Sequence, residues 1–238
     1  MIVLAIDTCD SLGSVALLRD EAILKVVSHE SQEDYSSWLL PAVRECLEGG
    51  GVRMEDVDAY AAAAGPGSFT GVRVALTTVK AWSEVYGKRI AAVSRLEAMA
   101  AEASQEKSWV AAFANAQRDQ VFGAVYQRQG RGLARLGDEM VIAPGKFVEA
   151  AAEFANGEAI SWVSADVECV VSEAAWKARE SRGETVQRVS IVRAPMIGRL
   201  GLAALAEGRI TDALSLDANY VRRSDAEIFW KGNAARGR

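Results

Sequence analysis

Three short apolar runs, at 2–6, 14–18 and 22–28, open the chain, with polar turns at 10–13 and 19–20 between them. Their length and spacing predict a three-stranded meander. From Tyr35 the period lengthens: Tyr35, Leu39, Val43 and Leu47 share one helical face, and Gly49-Gly50-Gly51 ends it. A small-residue apolar run at 57–64 reads as a buried strand. Behind it comes Gly65-Pro66-Gly67-Ser68-Phe69-Thr70-Gly71, then Val72, Leu76, Val79 and Tyr86 at helical spacing. A strand at 89–93 and a small helix at 95–103 follow, and the polar stretch 105–108 marks a boundary. Beyond it, 109–114 and 120–128 predict a hairpin about 115–119. Pro144 starts a helix running to about 155, and strands are expected at 159–164 and 186–192 with a helix over 172–182 between them. A last amphipathic helix is expected over 196–207, behind Pro195 and closed by Gly208. The chain therefore reads as α/β with two lobes. Residues 1–104 form the first, with the glycine loop, and 105–238 the second plus a tail that can pack back on the first lobe.

Composition narrows the function classes. With 238 residues and half of them apolar, the chain can bury a substantial core, yet no apolar run approaches the length of a membrane span. The first residues lack a basic segment and pass directly into Asp7, which argues against a secretory signal. Cys9, Cys46 and Cys169 are odd in number and widely spaced, as expected of reduced thiols in the cytoplasm. A net charge of −5 argues against broad nucleic-acid binding by this chain alone. Nine basic and fifteen acidic residues fall within the first 103, so an acidic first lobe either is simply solvated or meets a basic partner. Arg222, Arg223, Lys231, Arg236 and Arg238 make the tail basic.

The glycine loop carries the candidate chemistry. Its spacing is not the Gly-x-Gly-x-x-Gly of dinucleotide sites, and no Gly-Lys-Ser/Thr follows it. Two readings stand on local chemistry: a tight strand-to-helix turn with close backbone packing, or an anion cradle at a helix start capped by Ser68 or Thr70. In the second reading Asp7, Thr8, Gly65, Gly67, Ser68, Thr70 and Gly71 are the candidate anion or nucleotide contacts. Asp7 and Thr8 equally suit an Asx-type bond to the turn that follows them. His29 is the single histidine, placed at the end of an edge strand and expected at the surface, so neither a transition-metal site nor a Ser–His–Asp triad is expected.

Together with Ile2-Val3-Leu4-Ala5-Ile6-Asp7-Thr8-Cys9, the glycine loop resembles the TsaB (YeaZ) family of bacterial tRNA-modification proteins. Leu39-Leu40-Pro41, the segment 93–100 and Asn219-Tyr220-Val221-Arg222-Arg223 are similar to further family motifs, so the resemblance covers most of the chain. Two positions depart from it: Asn115-Ala116-Gln117-Arg118 stands where Asp-Ala-Arg is usual, and Tyr35 where a His often precedes Leu-Leu-Pro. The resemblance implies the two-lobed actin-like/Hsp70/sugar-kinase (ASKHA) fold, each lobe a mixed sheet with flanking helices.

It also implies a role. Such a chain is a non-catalytic partner of TsaD in making N6-threonylcarbamoyladenosine (t6A) at position 37 of ANN-decoding tRNAs. Its partners would be TsaD in a heterodimer, TsaE in a ternary complex and a second copy of itself, with tRNA reached indirectly and no membrane. No cofactor would be required, though weak ATP or ADP binding at a partner interface fits. The TsaD family's metal-binding His-x-x-x-His pair falls on Arg95 and Met99 here, which argues for a pseudo-enzyme without a metal. The two helices flanking the loop carry more apolar positions than one sheet contact needs, and in the family they form the pairing bundle. Leu39, Leu40, Val43, Leu47, Val72, Arg73, Leu76 and Val79 are thus the expected partner-binding residues. The alternatives are a small-molecule kinase of the same fold, similar to type III pantothenate kinases, which the missing glycine after Asp7 disfavours, and a peptidase, for which no nucleophile–base pair is present.

Overall fold

The computed structural model describes residues 1–29, 33–130 and 132–221. Its framework is two five-stranded sheets. The first uses β1 (Ile2–Asp7), β2 (Ser14–Arg19), β3 (Ala22–Ser28), β4 (Ala59–Ala63) and β5 (Arg89–Val93) in the order β3-β2-β1-β4-β5. The meander strands pair antiparallel, while β1, β4 and β5 run parallel. The second uses β6 (Trp109–Asn115), β7 (Val121–Gln129), β8 (Gly132–Ile142), β9 (Ile160–Ser164) and β10 (Val186–Arg188) in the order β10-β9-β6-β7-β8. Its antiparallel and parallel pairings repeat those of the first, strand for strand. The fold is thus the two-lobed ASKHA arrangement.

Burial explains why the central strands read as continuous apolar runs. Helices α1 (Tyr35–Gly50) and α2 (Phe69–Tyr86) pack on the first sheet, as does α7 (Ala194–Ala206), which comes from the far end of the chain and lies on β1, β2 and β4. A parallel strand covered on both faces has no polar side to show, and β4, Ala59-Tyr60-Ala61-Ala62-Ala63, is buried throughout. Its small side chains let α7 approach closely: a Cβ on Gly201 would come within 2.6 Å of the Ala61 Cβ, and one on Gly198 within 2.4 Å of a Leu18 methyl. Helix α3 (Arg95–Ala101) packs on β6 and β7 as well as on α7, and so joins the lobes. In the second lobe, α4 (Pro144–Phe154) covers β7 and β8.

Three expectations need correction here. Strand β8 had no sequence signal, because Gly137 takes φ +66° and the register with β7 shifts at Gly123/Val125, which breaks the period-two pattern. The helix expected over 172–182 is divided into α5 (Glu168–Val171), a 3-10 turn at Ala174–Trp176 and α6 (Lys177–Glu180), since Glu173 is extended. His29 is only 5% exposed, not a surface residue: its ring packs against Tyr35 at 4.8 Å and Trp38 at 5.0 Å, and its Nε2 lies 2.8 Å from the Glu33 carbonyl. Among the described residues, no helix is long and apolar enough to cross a membrane. The basic residues of the tail lie outside the described residues.

Candidate functional site

The end of β1 and the glycine loop meet backbone to backbone. A Cβ on Gly67 would stand 2.1 Å from the Cys9 carbonyl oxygen, and one on Gly71 would stand 1.8 Å from that of Thr8. Neither distance is sterically allowed, so glycine is required at both positions by proximity rather than by positive φ. Within the loop only Gly65 takes the left-handed region, at φ +105°. The Ser68 amide donates to the Cys9 carbonyl at 2.7 Å, and the Thr8 hydroxyl donates to the Gly71 carbonyl at 2.6 Å. Ser68 caps α2 by accepting from the Gly71 amide, whereas Thr70 lies inside the helix.

These contacts engage the two side chains at the end of β1. Asp7 accepts from the Cys9 amide at 2.8 Å in an Asx-type bond, and both Asp7 and Thr8 are fully buried. Their side chains, expected as anion contacts, are committed to the turn and to Arg95. The arrangement is a close-packed strand-to-helix turn.

Arg95, the first residue of α3, closes the site from the other side. Its Nε stands 3.4 Å from Asp7 Oδ2, outside hydrogen-bond geometry, and its Nη2 donates to the Asp10 carboxylate. Burial opposes the guanidinium charge, but Asp7 and Asp10 outweigh it and raise its pKa above the ordinary range. Burial would likewise raise Asp10, yet the Arg95 charge and the Ser11 amide leave it below its usual value. Tyr35 donates its hydroxyl to the Asp10 carbonyl, and burial, with the neighbouring carboxylates, lifts its phenol well above the usual range. One turn along α3, Met99 points into the apolar cluster with Val110, Ala112 and Tyr126. Arg95 has no lone pair for a metal and the Met99 thioether is packed among apolar side chains, while the described residues contain no group of three or more His, Cys, Asp or Glu side chains able to hold one.

Between the lobes lies a cavity of about 760 Å³, walled by Asp10, Arg95, Ser68, Phe69, the turn between β6 and β7, and Asn219 to Val221. In that turn Gln117, Arg118 and Asp119 all take positive φ, at 59°, 56° and 53°. Three consecutive left-handed residues other than glycine are unusual, and the Asn115 side chain steadies them by accepting from the Gln117 amide at 2.7 Å. At the edge, Tyr220 stacks on Phe69 at 4.4 Å, and Arg73 lies over the Phe69 ring while donating to the Tyr220 hydroxyl at 2.9 Å. Asp10 and Phe69 were not anticipated as site residues, nor was Glu139, which accepts from the side chain of the cavity-wall residue Asn219. Asp10 is marked only by its turn-forming neighbours, and Glu139 sits in the strand that left no signal.

The expected partner-binding residues separate into two groups. Leu39, Val43, Leu47, Val72, Leu76 and Val79 belong to the first core, with Val43 and Leu47 also reaching the floor of a surface depression. Leu40 (58% exposed) faces outward, and Arg73 is exposed but engaged with Tyr220; Val85, which was not among the expected residues, is 73% exposed. Beside Leu40, a shallow depression of about 360 Å³ runs between α1 and α2, walled also by Leu47, Val52 and Trp82.

The family is fixed by comparison with known proteins. A family model described as "TsaD: tRNA N6-adenosine threonylcarbamoyltransferase" matches residues 24–179, well over half of the chain. The chain belongs to this family, in its TsaB/YeaZ branch. It is 32% identical over 127 residues to the tRNA threonylcarbamoyladenosine biosynthesis protein TsaB of Bacillus subtilis, a match covering 53% of this chain and 56% of that one. The matched stretch thus spans little more than half of that relative. The YeaZ structure from Pseudomonas aeruginosa superposes with a TM-score of 0.71 at 29% identity, over 92% of this chain and 99% of that one. A ROK hexokinase from Thermus thermophilus, at TM-score 0.54 and 11% identity over 87% of this chain and all of that one, shares the fold alone.

Proposed function

We propose that this chain is the non-catalytic TsaB-type subunit that binds and activates TsaD in t6A synthesis. The observation that carries the reading is the Arg95 ion pair at the floor of the cleft. The buried Arg95 guanidinium pairs with both Asp7 and Asp10, so neither carboxylate is left free to ligate a cation or to serve as a base. The kinase alternative loses support at the same place, since Asp7 and Thr8 are spent on internal bonds. The chain's contribution is then a surface, and the outward Leu40 beside the α1–α2 depression supplies one for TsaD or for a second copy. TsaE and tRNA join through that complex, and no cofactor is required by this chain, weak ATP or ADP binding being confined to a partner interface.

Co-expression with the host's own TsaD tests this. The two should co-elute on size exclusion, and tRNA modification should need both. ATP turnover by this chain alone on small alcohols, or full t6A formation without it, would refute the proposal.

A further inference from the structure

Glu139 sits on β8, an edge strand, yet its side chain is 2% exposed. It accepts from the Ser94 hydroxyl, which caps α3, and from the Asn219 side-chain amide at 2.6 Å, with Arg135 at 3.5 Å. Asn219 is bound at two ends. Its main-chain amide donates to the Ala64 carbonyl at 2.8 Å, just past β4 in the first lobe, while its side chain reaches Glu139 in the second. The next residue, Tyr220, returns to the first lobe through Phe69 and Arg73 on α2. Val221 then packs on the second-lobe cluster that includes Val110, Phe122 and Tyr126. All three residues wall the cleft cavity.

We propose that residues 219–221 are a releasable strap that holds the two lobes together across the cleft, with Glu139 as its lock on the second lobe. Helix α3 is the permanent joint, because it packs on β6 and β7. The strap is a second joint of a different kind. It belongs to neither sheet, it is fastened by one main-chain hydrogen bond and a few side-chain contacts, and Tyr220 is 39% exposed. Burial raises the Glu139 carboxyl above its ordinary range, with the Ser94 and Asn219 donors opposing that rise. Such a group depends on those donors, so loss of the Asn219 contact withdraws the lock's main link to the strap. Segments held by few apolar contacts open before the sheets do. With the strap released, the cavity loses one wall and the lobes can separate about α3.

The test uses the full chain with Asn219→Ala, Tyr220→Ala and Glu139→Ala. Hydrogen exchange reads the Asn219 amide, and spin labels at Thr77 and Lys146, introduced as cysteines with Cys169→Ala, read the distance between α2 and α4. Each variant should speed exchange at Asn219 at least tenfold and broaden the lobe–lobe distance distribution, with β1 and β6 amides unchanged. Asn219→Ala and Tyr220→Ala leave the buried carboxylate in place and carry the test if Glu139→Ala does not fold. Wild-type exchange and distance in those two folded variants would overturn the strap. So would equal acceleration in β1 and β6, which would make these contacts part of global stability.

Discussion

Replacing Arg95 with Met keeps most of the side chain's volume but removes the charge between Asp7 and Asp10. Asp7 would then lie buried with only the Cys9 amide as a partner. Removing one member of a buried pair costs about 3–5 kcal/mol, because the remaining charge is neither solvated nor compensated. In a chain of this size each kcal/mol moves the melting temperature by roughly 2–4 °C, so the drop should be about 6–20 °C. Thermal unfolding followed by circular dichroism measures it. Replacing the pair differs from breaking it: Asp7→Asn with Arg95→Met leaves no buried charge at that contact and should recover at least half of the loss. A single variant melting within about 2 °C of wild type would refute the reasoning. A double variant no more stable than the sum of the two single losses would do the same.

Gly71→Ala should destabilise more than the roughly 1 kcal/mol gained from alanine in a helix, because its Cβ meets the Thr8 carbonyl; chemical denaturation against wild type reads the difference. Leu40→Glu should fold normally and weaken self-association and TsaD binding on size exclusion, whereas Leu76→Glu, pointing into the core, should fail to fold. Glu184→Leu should cost about 3–5 kcal/mol by stranding buried Arg179 and leaving the Trp162 indole without its 2.6 Å acceptor; recovery on adding Arg179→Met would identify the stranded charge as the cause. Asp10, depressed in the fold, contributes stability that is fully present above its ordinary value of 3.8 and lost as pH falls through the lower folded value. Asp10→Asn should flatten that part of the acid-unfolding curve.

The first lobe was legible because its elements obey simple periods: alternating runs in the meander, then Tyr35, Leu39, Val43 and Leu47 along one helix face. The same regularity drew mostly core residues into the expected partner-binding set. A residue in phase with the apolar stripe packs on the sheet beneath it, so Leu39, Val43 and Leu76 are core. The surface signal is an apolar residue out of phase, and Leu40 and Val85 are of that kind. The glycine loop was recognisable as a tight turn, but the reason for two of its glycines lies in Thr8 and Cys9, about sixty residues earlier in sequence. The Asp7–Arg95 pair has the same character: each residue is unremarkable locally, and only the parallel sheet brings them together. Glu139 could not be found without β8, whose bulge and left-handed Gly137 hide it.

Helix α7 also constrains the order in which the chain can acquire its shape. Strands β6 to β10 are contiguous from 109 to 188 and can pair as soon as that stretch leaves the ribosome. The first sheet, made earlier, must wait for residues 194–206 before Ala5, Leu18 and Ala61 are covered. A nascent chain paused before that point carries a bare apolar face on its oldest part. Translation speed through the second lobe therefore sets how long that face is open to chaperones or to aggregation.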